Sequence, residues 1–154
     1  MDHRLSSKHF VSLGIWAIAI IFASIHPLEI ESYLLHQTGT VFMIVMLILC
    51  LYKIGLSFFS FNLYLAFLLI HVVAAHYLYS YVPYNEWTQT LFGFDLNAAM
   101  GWSRNMFDRF VHLAFGLLLY PVFYRLFQVW LSQQNPFTIF LLVIQFVMAT
   151  SLIY

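Results

Sequence analysis

The sequence predicts an all-α fold, a polytopic bundle of about five transmembrane helices. Of its 154 residues, 63% are hydrophobic and only 8% are charged, whereas a soluble domain carries about 25% charged residues. The mean hydropathy of +0.86 agrees with this composition. A chain with so little polar surface cannot coat a water-facing globule, so we expect the lipid bilayer to surround it.

Five apolar segments approach the length of about 20 residues that a helix needs to cross a bilayer. Pro27 ends the first segment, Lys53 and Gly55 bound the second, and Pro136 opens the fifth. Isolated strands would leave backbone groups unpaired in hydrocarbon, so the segments are expected to be helices. The predicted spans, all in one domain of residues 1–154, are residues 10–25, 37–52, 56–79, 105–131 and 136–154.

The placement of basic residues predicts the orientation of the bundle. With a cytoplasmic N-terminus, four basic residues lie inside, namely Arg4, Lys8, Lys53 and Arg125. The outside then receives only Arg104 and Arg109, and the reverse orientation would fit this rule less well. Five spans would place the C-terminus outside.

Charge and cysteine content exclude two classes of function. Six basic and six acidic residues give a net charge of zero, and no basic patch is present to bind phosphate backbones. We therefore expect no nucleic acid partner. The single cysteine, Cys50, has no partner in the chain, which excludes an internal disulfide and a zinc site built from cysteines.

Ionisable residues open the fourth span, where burial in lipid would be costly. Arg104, Asp108 and His112 are spaced i, i+4, i+8, so they stack along one face of the helix. In that order the arginine favours an ionised carboxylate, and the carboxylate fixes the tautomer of the imidazole. Arg109 lies on a neighbouring face, where it is available to a lipid headgroup or phosphate.

The end of the third span is expected to meet the start of the fourth, because consecutive helices run antiparallel. We therefore expect His76, Asp108 and His112 to converge at one depth. These three residues are the predicted catalytic acid–base groups, and the same set is a candidate site for a divalent transition metal or a proton relay. The predicted substrate-binding residues are Tyr77, Tyr79, Arg104, Asn105 and Arg109.

A purely structural role is the alternative for the same residues. Charged groups at a helix N-terminus cap it, pair with each other and reach toward water. Tyrosines near a membrane interface commonly belong to an aromatic belt. His71, one turn and a half before His76, is interpreted as a packing histidine. His26 and His36 flank the first outer loop and are weaker candidates for the same side.

Two stretches, HYLYSYVPYNEW and GWSRNMFDRFVHLAFG, resemble the bacterial inner-membrane YjdF family, a domain of unknown function. The loop IHPLEIESYLLHQ is also similar, although His36 stands where the family leads us to expect an acidic residue. The resemblance implies a multi-pass protein of the cell inner membrane. It also implies a sixth span that this chain, ending at SLIY, would lack. The matching residues are His76, Tyr77, Tyr79, Val82, Pro83, Ser103, Arg104, Asn105, Asp108, Arg109, His112 and Gly116.

The aspartate-arginine-x-x-histidine opening of the fourth span also has a shorter likeness to VanZ-type membrane proteins.

Three functions remain open. The first is a membrane-embedded enzyme or metal-binding protein whose site at the outer interface binds a metal or acts on a lipid-phase substrate. The second is a small proton-linked transporter, and the third is a structural or accessory protein that joins another membrane subunit or a second copy. No nucleophile elbow, phosphate loop or HExxH motif is present, so no reaction class follows from the sequence.

Overall fold

The computed structural model describes residues 1–152, which form five long helices and two short ones. These residues contain no strand beyond one isolated bridge between Asp2 and Leu56, and the predicted all-α fold is confirmed. The helices are α1 (Ser7–Ala23), α2 (Ile30–Ile54), α3 (Phe58–His76), α4 (Tyr84–Phe92), α5 (Leu96–Met100), α6 (Phe107–Trp130) and α7 (Pro136–Ser151).

Three of the helices, α2, α3 and α6, are long and apolar enough to cross a membrane. Helices α1 and α7 are apolar but shorter, at 17 and 16 residues. A helix of that length measures about 24–26 Å, a little less than the roughly 30 Å of a bilayer's hydrocarbon core. A multi-helix membrane bundle is therefore supported, while the number of five spans stays a prediction.

The helix boundaries differ from the predicted spans on both sides of the first loop. Helix α1 ends at Ala23 rather than near Pro27, and Ser24 forms its C-cap. Helix α2 begins at Ile30, seven residues before the predicted start, so His36 is helical and does not border a loop. The predicted start was too late because the hydropathy of residues 30–36 is low. A helix at a membrane interface can nevertheless include polar side chains.

The long connection between α3 and α6 contains the two short helices. Gly93 ends α4 and Gly101 ends α5, each in the left-handed conformation that glycine adopts readily. Asp95 caps α5, because its Oδ1 accepts a hydrogen bond from the Ala98 N–H at 2.8 Å. That bond holds the pKa of the Asp95 carboxyl below its usual range, so the cap is ionised at neutral pH and is lost only in acid.

Helix α3 lies at the centre of the bundle, packed against α1, α2 and α6, while α7 packs against α6. Its contact with α6 includes an edge-to-face pair, Phe67 and Phe115, with ring centroids 5.4 Å apart. Both rings are buried. Since lipid tails are as apolar as these side chains, close packing rather than the hydrophobic effect holds such helices together.

Hydrogen bonds tie the helix ends together at both ends of the bundle. At one end, Arg125 Nε donates to the backbone oxygens of Ile54 and Gly55 at 3.1 and 3.3 Å. At the other end, Nδ1 of His112 lies 3.0 Å from the Ser151 hydroxyl, joining the start of α6 to α7. We call this second end, with residues 77–106, the loop end.

Large apolar side chains cover much of the outer surface. Along α1, the exposed fractions of Phe10, Ile15 and Phe22 are 60%, 62% and 69%. In water such a continuous apolar surface would promote aggregation. In a bilayer the same surface contacts lipid tails.

Gly116 lets α6 and α7 approach closely, since a Cβ at this position would lie 3.3 Å from Val147 Cγ1. We expect Gly116→Leu to force the helices apart and lower the free energy of unfolding by about 1–3 kcal/mol. Gly14→Leu is the matched control, because a Cβ there meets nothing within 4 Å. Thermal unfolding in detergent measures both, and equal melting temperatures would contradict this packing role.

Candidate functional site

A cavity of about 620 Å³ lies at the loop end between α2, α3 and α6, and we call it the polar cavity because three histidines and an aspartate are among its lining residues. Three of its residues, Tyr79, Asp108 and His112, belong to the predicted site. Two other histidines also line the cavity: His36, which the sequence made a weaker candidate, and His71, which it indicated as a packing residue. The lining residues are Leu35, His36, Thr38, Gly39, His71, Tyr79, Asp108 and His112.

One wall of the cavity is built by His71 and Tyr79. The Tyr79 hydroxyl lies 2.8 Å from Nδ1 of His71, whose exposed fraction is only 3%. The His36 ring lies beside both, with centroids 6.4 Å from His71 and 5.2 Å from Tyr79. A polar cluster of two imidazoles and a phenol therefore lines the junction of α2 and α3.

The backbone after α3 turns back to bring Tyr79 to this wall. Leu78 and Tyr79 have φ values of 52° and 60°, in the left-handed region that bulky residues rarely occupy. Such conformations cost about 1–3 kcal/mol each. A hydrogen bond from the Tyr79 N–H to the Ala74 oxygen, at 2.7 Å, offsets part of that cost.

The opposite wall belongs to the first two turns of α6. Arg104 donates to Oδ2 of Asp108 at 3.1 Å, and both side chains are partly exposed, at 49% and 32%. The other carboxylate oxygen, Oδ1, is shielded from solvent and has no hydrogen-bond partner within residues 1–152. One turn further, His112 also borders the cavity. Of the three residues predicted to stack on one helix face, Asp108 and His112 lie one turn apart on α6, whereas Arg104 precedes the helix and reaches Asp108 from the preceding loop.

His76 has a different place. Its Nδ1–H donates to the backbone oxygen of Ala23 at 2.6 Å, and its own oxygen accepts from the Leu28 N–H at 3.0 Å. The residue ties the end of α3 to the end of α1 and does not line the cavity. Because His71 and His76 are five residues apart, they lie about 140° apart around the helix, and only His71 faces the cavity.

The metal-binding set of His76, Asp108 and His112 is therefore not assembled. Across residues 1–152, no group of three or more histidine, cysteine, aspartate or glutamate side chains is arranged to hold a metal ion. The cavity brings Asp108 and His112 together with His36 and His71 instead. No ligand set for a divalent transition metal can be read from this geometry.

Two of the predicted substrate-binding residues act as structural ties. Asn105 donates from Nδ2 to the Val82 oxygen at 2.8 Å, and its Oδ1 accepts from the Phe107 N–H at 3.0 Å. Tyr77 packs its ring against Trp87, with centroids 6.1 Å apart. Both residues hold the long connection to the bundle.

The other predicted substrate-binding residues divide between two places. Tyr79 lines the polar cavity, and Arg104 donates a hydrogen bond to the Asp108 carboxylate, which also lines it. Arg109 lies on another face of α6 and lines a separate apolar groove.

The family model described as "Predicted membrane protein (DUF2238)" matches residues 8–154, nearly the whole chain. This chain belongs to the DUF2238 family. YjdF is a member of that family, in agreement with the resemblance carried by the two motifs. No curated protein and no solved structure matches this DUF2238 chain. The family match and the long apolar helices together indicate that it is a multi-pass membrane protein.

The cavity of this DUF2238 protein presents both hydrogen-bond donors and hydrogen-bond acceptors. Neutral imidazole offers one donor and one acceptor, and histidine is the side chain that changes charge most readily near neutral pH. The Asp108 carboxylate adds an acceptor on the opposite wall. A ligand with hydroxyl or amine groups would find partners on both sides.

We expect Asp108 to contribute little to the stability of the DUF2238 fold, because its pair with Arg104 is partly exposed and such pairs are worth about 0–1 kcal/mol. We expect Asp108→Asn to unfold in detergent within about 1 kcal/mol of the unchanged protein. Asn105→Ala should cost more, about 1–3 kcal/mol, because it leaves buried backbone groups unpaired. If Asp108→Asn is the more damaging change, Asp108 is a structural anchor.

Proposed function

We propose that this protein resides in the bacterial inner membrane, binds a hydrogen-bond-donating ligand in the polar cavity and exchanges protons with it at the outer interface. The observation that supports this most is Asp108, which borders the cavity together with three histidines and whose Oδ1 is shielded and has no hydrogen-bond partner within residues 1–152. A shielded carboxylate oxygen without a partner costs about 1–3 kcal/mol or more. A hydroxyl or amine of a ligand would satisfy it.

Proton exchange is supported by the wall opposite Asp108. His71 and Tyr79 are within hydrogen-bond distance of each other, and His36 lies beside them. General acid–base chemistry requires a proton carrier within hydrogen-bond reach of the reacting group. Histidines on α2, α3 and α6 surround the space where that group would bind.

An enzyme or binding protein fits this geometry better than a transporter. Transporter sites usually lie near the middle of the bilayer, where either side can gain access. This cavity lies at the loop end, beside the start of α6 and the end of α3. A purely structural role leaves the cavity and the unpaired oxygen unexplained.

The distribution of charge supports an outer location for the cavity. Lys8, Lys53 and Arg125 belong to the end of the bundle away from the cavity, where the N-terminal segment also pairs with Leu56. The positive-inside rule places that end in the cytoplasm. The N-terminus is then cytoplasmic and the C-terminus outside.

A topology reporter tests the orientation. We expect a reporter fused after Leu131 to report the cytoplasm, and one inserted between Glu86 and Asp95 to report the outside. Both insertion points lie beyond the ends of the long helices. The opposite pattern would move the cavity to the cytoplasmic face.

Genetic complementation tests the role of the cavity. In a strain lacking the gene, the envelope would be profiled by mass spectrometry, and the change caused by the deletion would serve as the readout. We expect Asp108→Asn and Tyr79→Phe to accumulate normally but fail to reverse that change. Each keeps the shape of the side chain and removes the charge or hydroxyl that faces the cavity.

His26→Asn is the matched control for these variants. His26 is a histidine of the loop end, but it is exposed and does not line the cavity. Its φ of 51° suits asparagine, which tolerates the left-handed region. This variant should restore the envelope fully. Full restoration by Asp108→Asn and Tyr79→Phe as well would favour the structural role and overturn the proposal.

A further inference from the structure

A second cavity, an apolar groove of about 400 Å³, lies on the other side of the start of α6. Aromatic and aliphatic side chains form its walls, among them Trp102, Phe107, Phe110 and Leu113. Phe110 and Leu113 are about half exposed, at 48% and 58%. The groove is therefore open to the surroundings of the bundle, which in a membrane protein are lipid.

Arg109 is the only charged residue among those that line the groove. Its side chain is exposed, and it makes no hydrogen bond or ion pair with any residue from 1 to 152. The nearest carboxylate along the helix, Asp108, is hydrogen-bonded to Arg104 and interacts with Arg109 only through its charge, without an ion pair. A guanidinium beside an apolar groove needs an anionic partner, and a phosphate suits its planar set of donors.

The wall of the groove formed by Tyr84 is held in place by hydrogen bonds. The Tyr84 hydroxyl donates to Oδ1 of Asn97 at 2.6 Å and accepts from the Met106 N–H at 3.0 Å. Its ring stacks on Phe107, with centroids 6.1 Å apart. Helices α4, α5 and α6 are therefore fixed around a groove that exists before any ligand binds, as most ligand sites do.

We propose that the groove holds an acyl chain of an anionic phospholipid from the surrounding bilayer, with the lipid phosphate bound by Arg109. The apolar walls match the chain and the single positive charge matches the phosphate. A basic side chain near the membrane surface attracts acidic lipids by about 1 kcal/mol. This site is distinct from the polar cavity, which Asp108 and His112 border from the other face of α6.

Trp102 provides a probe inside the groove. The purified protein would be reconstituted in vesicles of phosphatidylcholine that contain a minor fraction of brominated lipid, either phosphatidylglycerol or phosphatidylcholine. Bromine quenches tryptophan fluorescence on contact, and the Trp102→Phe variant gives the signal of the other tryptophans. We expect the Trp102 component to be quenched by the anionic lipid at about fivefold lower lipid fraction, the preference that one arginine confers.

Arg109→Gln should reduce this preference to about one, while Arg109→Lys should retain most of it because the charge stays. Arg104→Gln is the matched control, since the partner of Arg104 is Asp108, and it should keep the fivefold preference. Thermal unfolding confirms that each variant is folded.

Three results would overturn the proposal. They are equal quenching by both lipids in the unchanged protein, an anionic preference that survives Arg109→Gln, and no quenching of Trp102 by either lipid. The last would indicate that a second copy of the chain or another protein fills the groove. None of these results bears on the polar cavity, whose variants are tested by genetic complementation.

Discussion

The close packing of α3 against α6 is the contact on which the rest of the bundle depends. Helix α3 also supports α1 and α2, and α6 supports α7. The buried rings of Phe67 and Phe115 meet edge to face at its centre. Because His71 belongs to α3 and Asp108 to α6, this packing also sets the distance between the two walls of the cavity. Van der Waals contacts hold the two helices together, because burying apolar side chains that already contact lipid brings no hydrophobic gain.

Hydropathy was sufficient to predict the five long helices, because lipid-facing helices must be apolar along most of their length. It placed their ends poorly, since a helix ends where its backbone hydrogen bonds end and not where its apolar residues do. Helix α2 starts at Ile30 and includes Glu31 in its first turn. The short helices α4 and α5 have no membrane span to reveal them, and they depend on local caps such as Asp95 and Gly93.

Part of the site followed from spacing within one helix. Asp108 and His112 share a face because four residues make slightly more than one turn, and both line the cavity. The choice between His71 and His76 depended on how α3 is rotated, which a single sequence does not contain. Tyr79 was expected at this interface, but its contact with His71 requires left-handed backbone at two residues that are not glycine. Neither leucine nor tyrosine is typical of a left-handed turn, so the sequence does not predict it.

The start of α6 and the loop before it place charge on two sides of the helix, and the charge on each side is neutralised differently. On one side Arg104 pairs with Asp108, and the other carboxylate oxygen has no hydrogen-bond partner among residues 1–152. On the other side, about 100° around the helix, the Arg109 side chain makes no ion pair with a carboxylate of residues 1–152. Together the three residues carry a net charge of +1 at neutral pH. A membrane interface rich in phosphate can supply the missing negative charge, and the long arginine side chain can reach it while its carbon atoms stay in lipid. The protein then needs no second carboxylate near the cavity, where it would compete with Asp108 for protons and for Arg104.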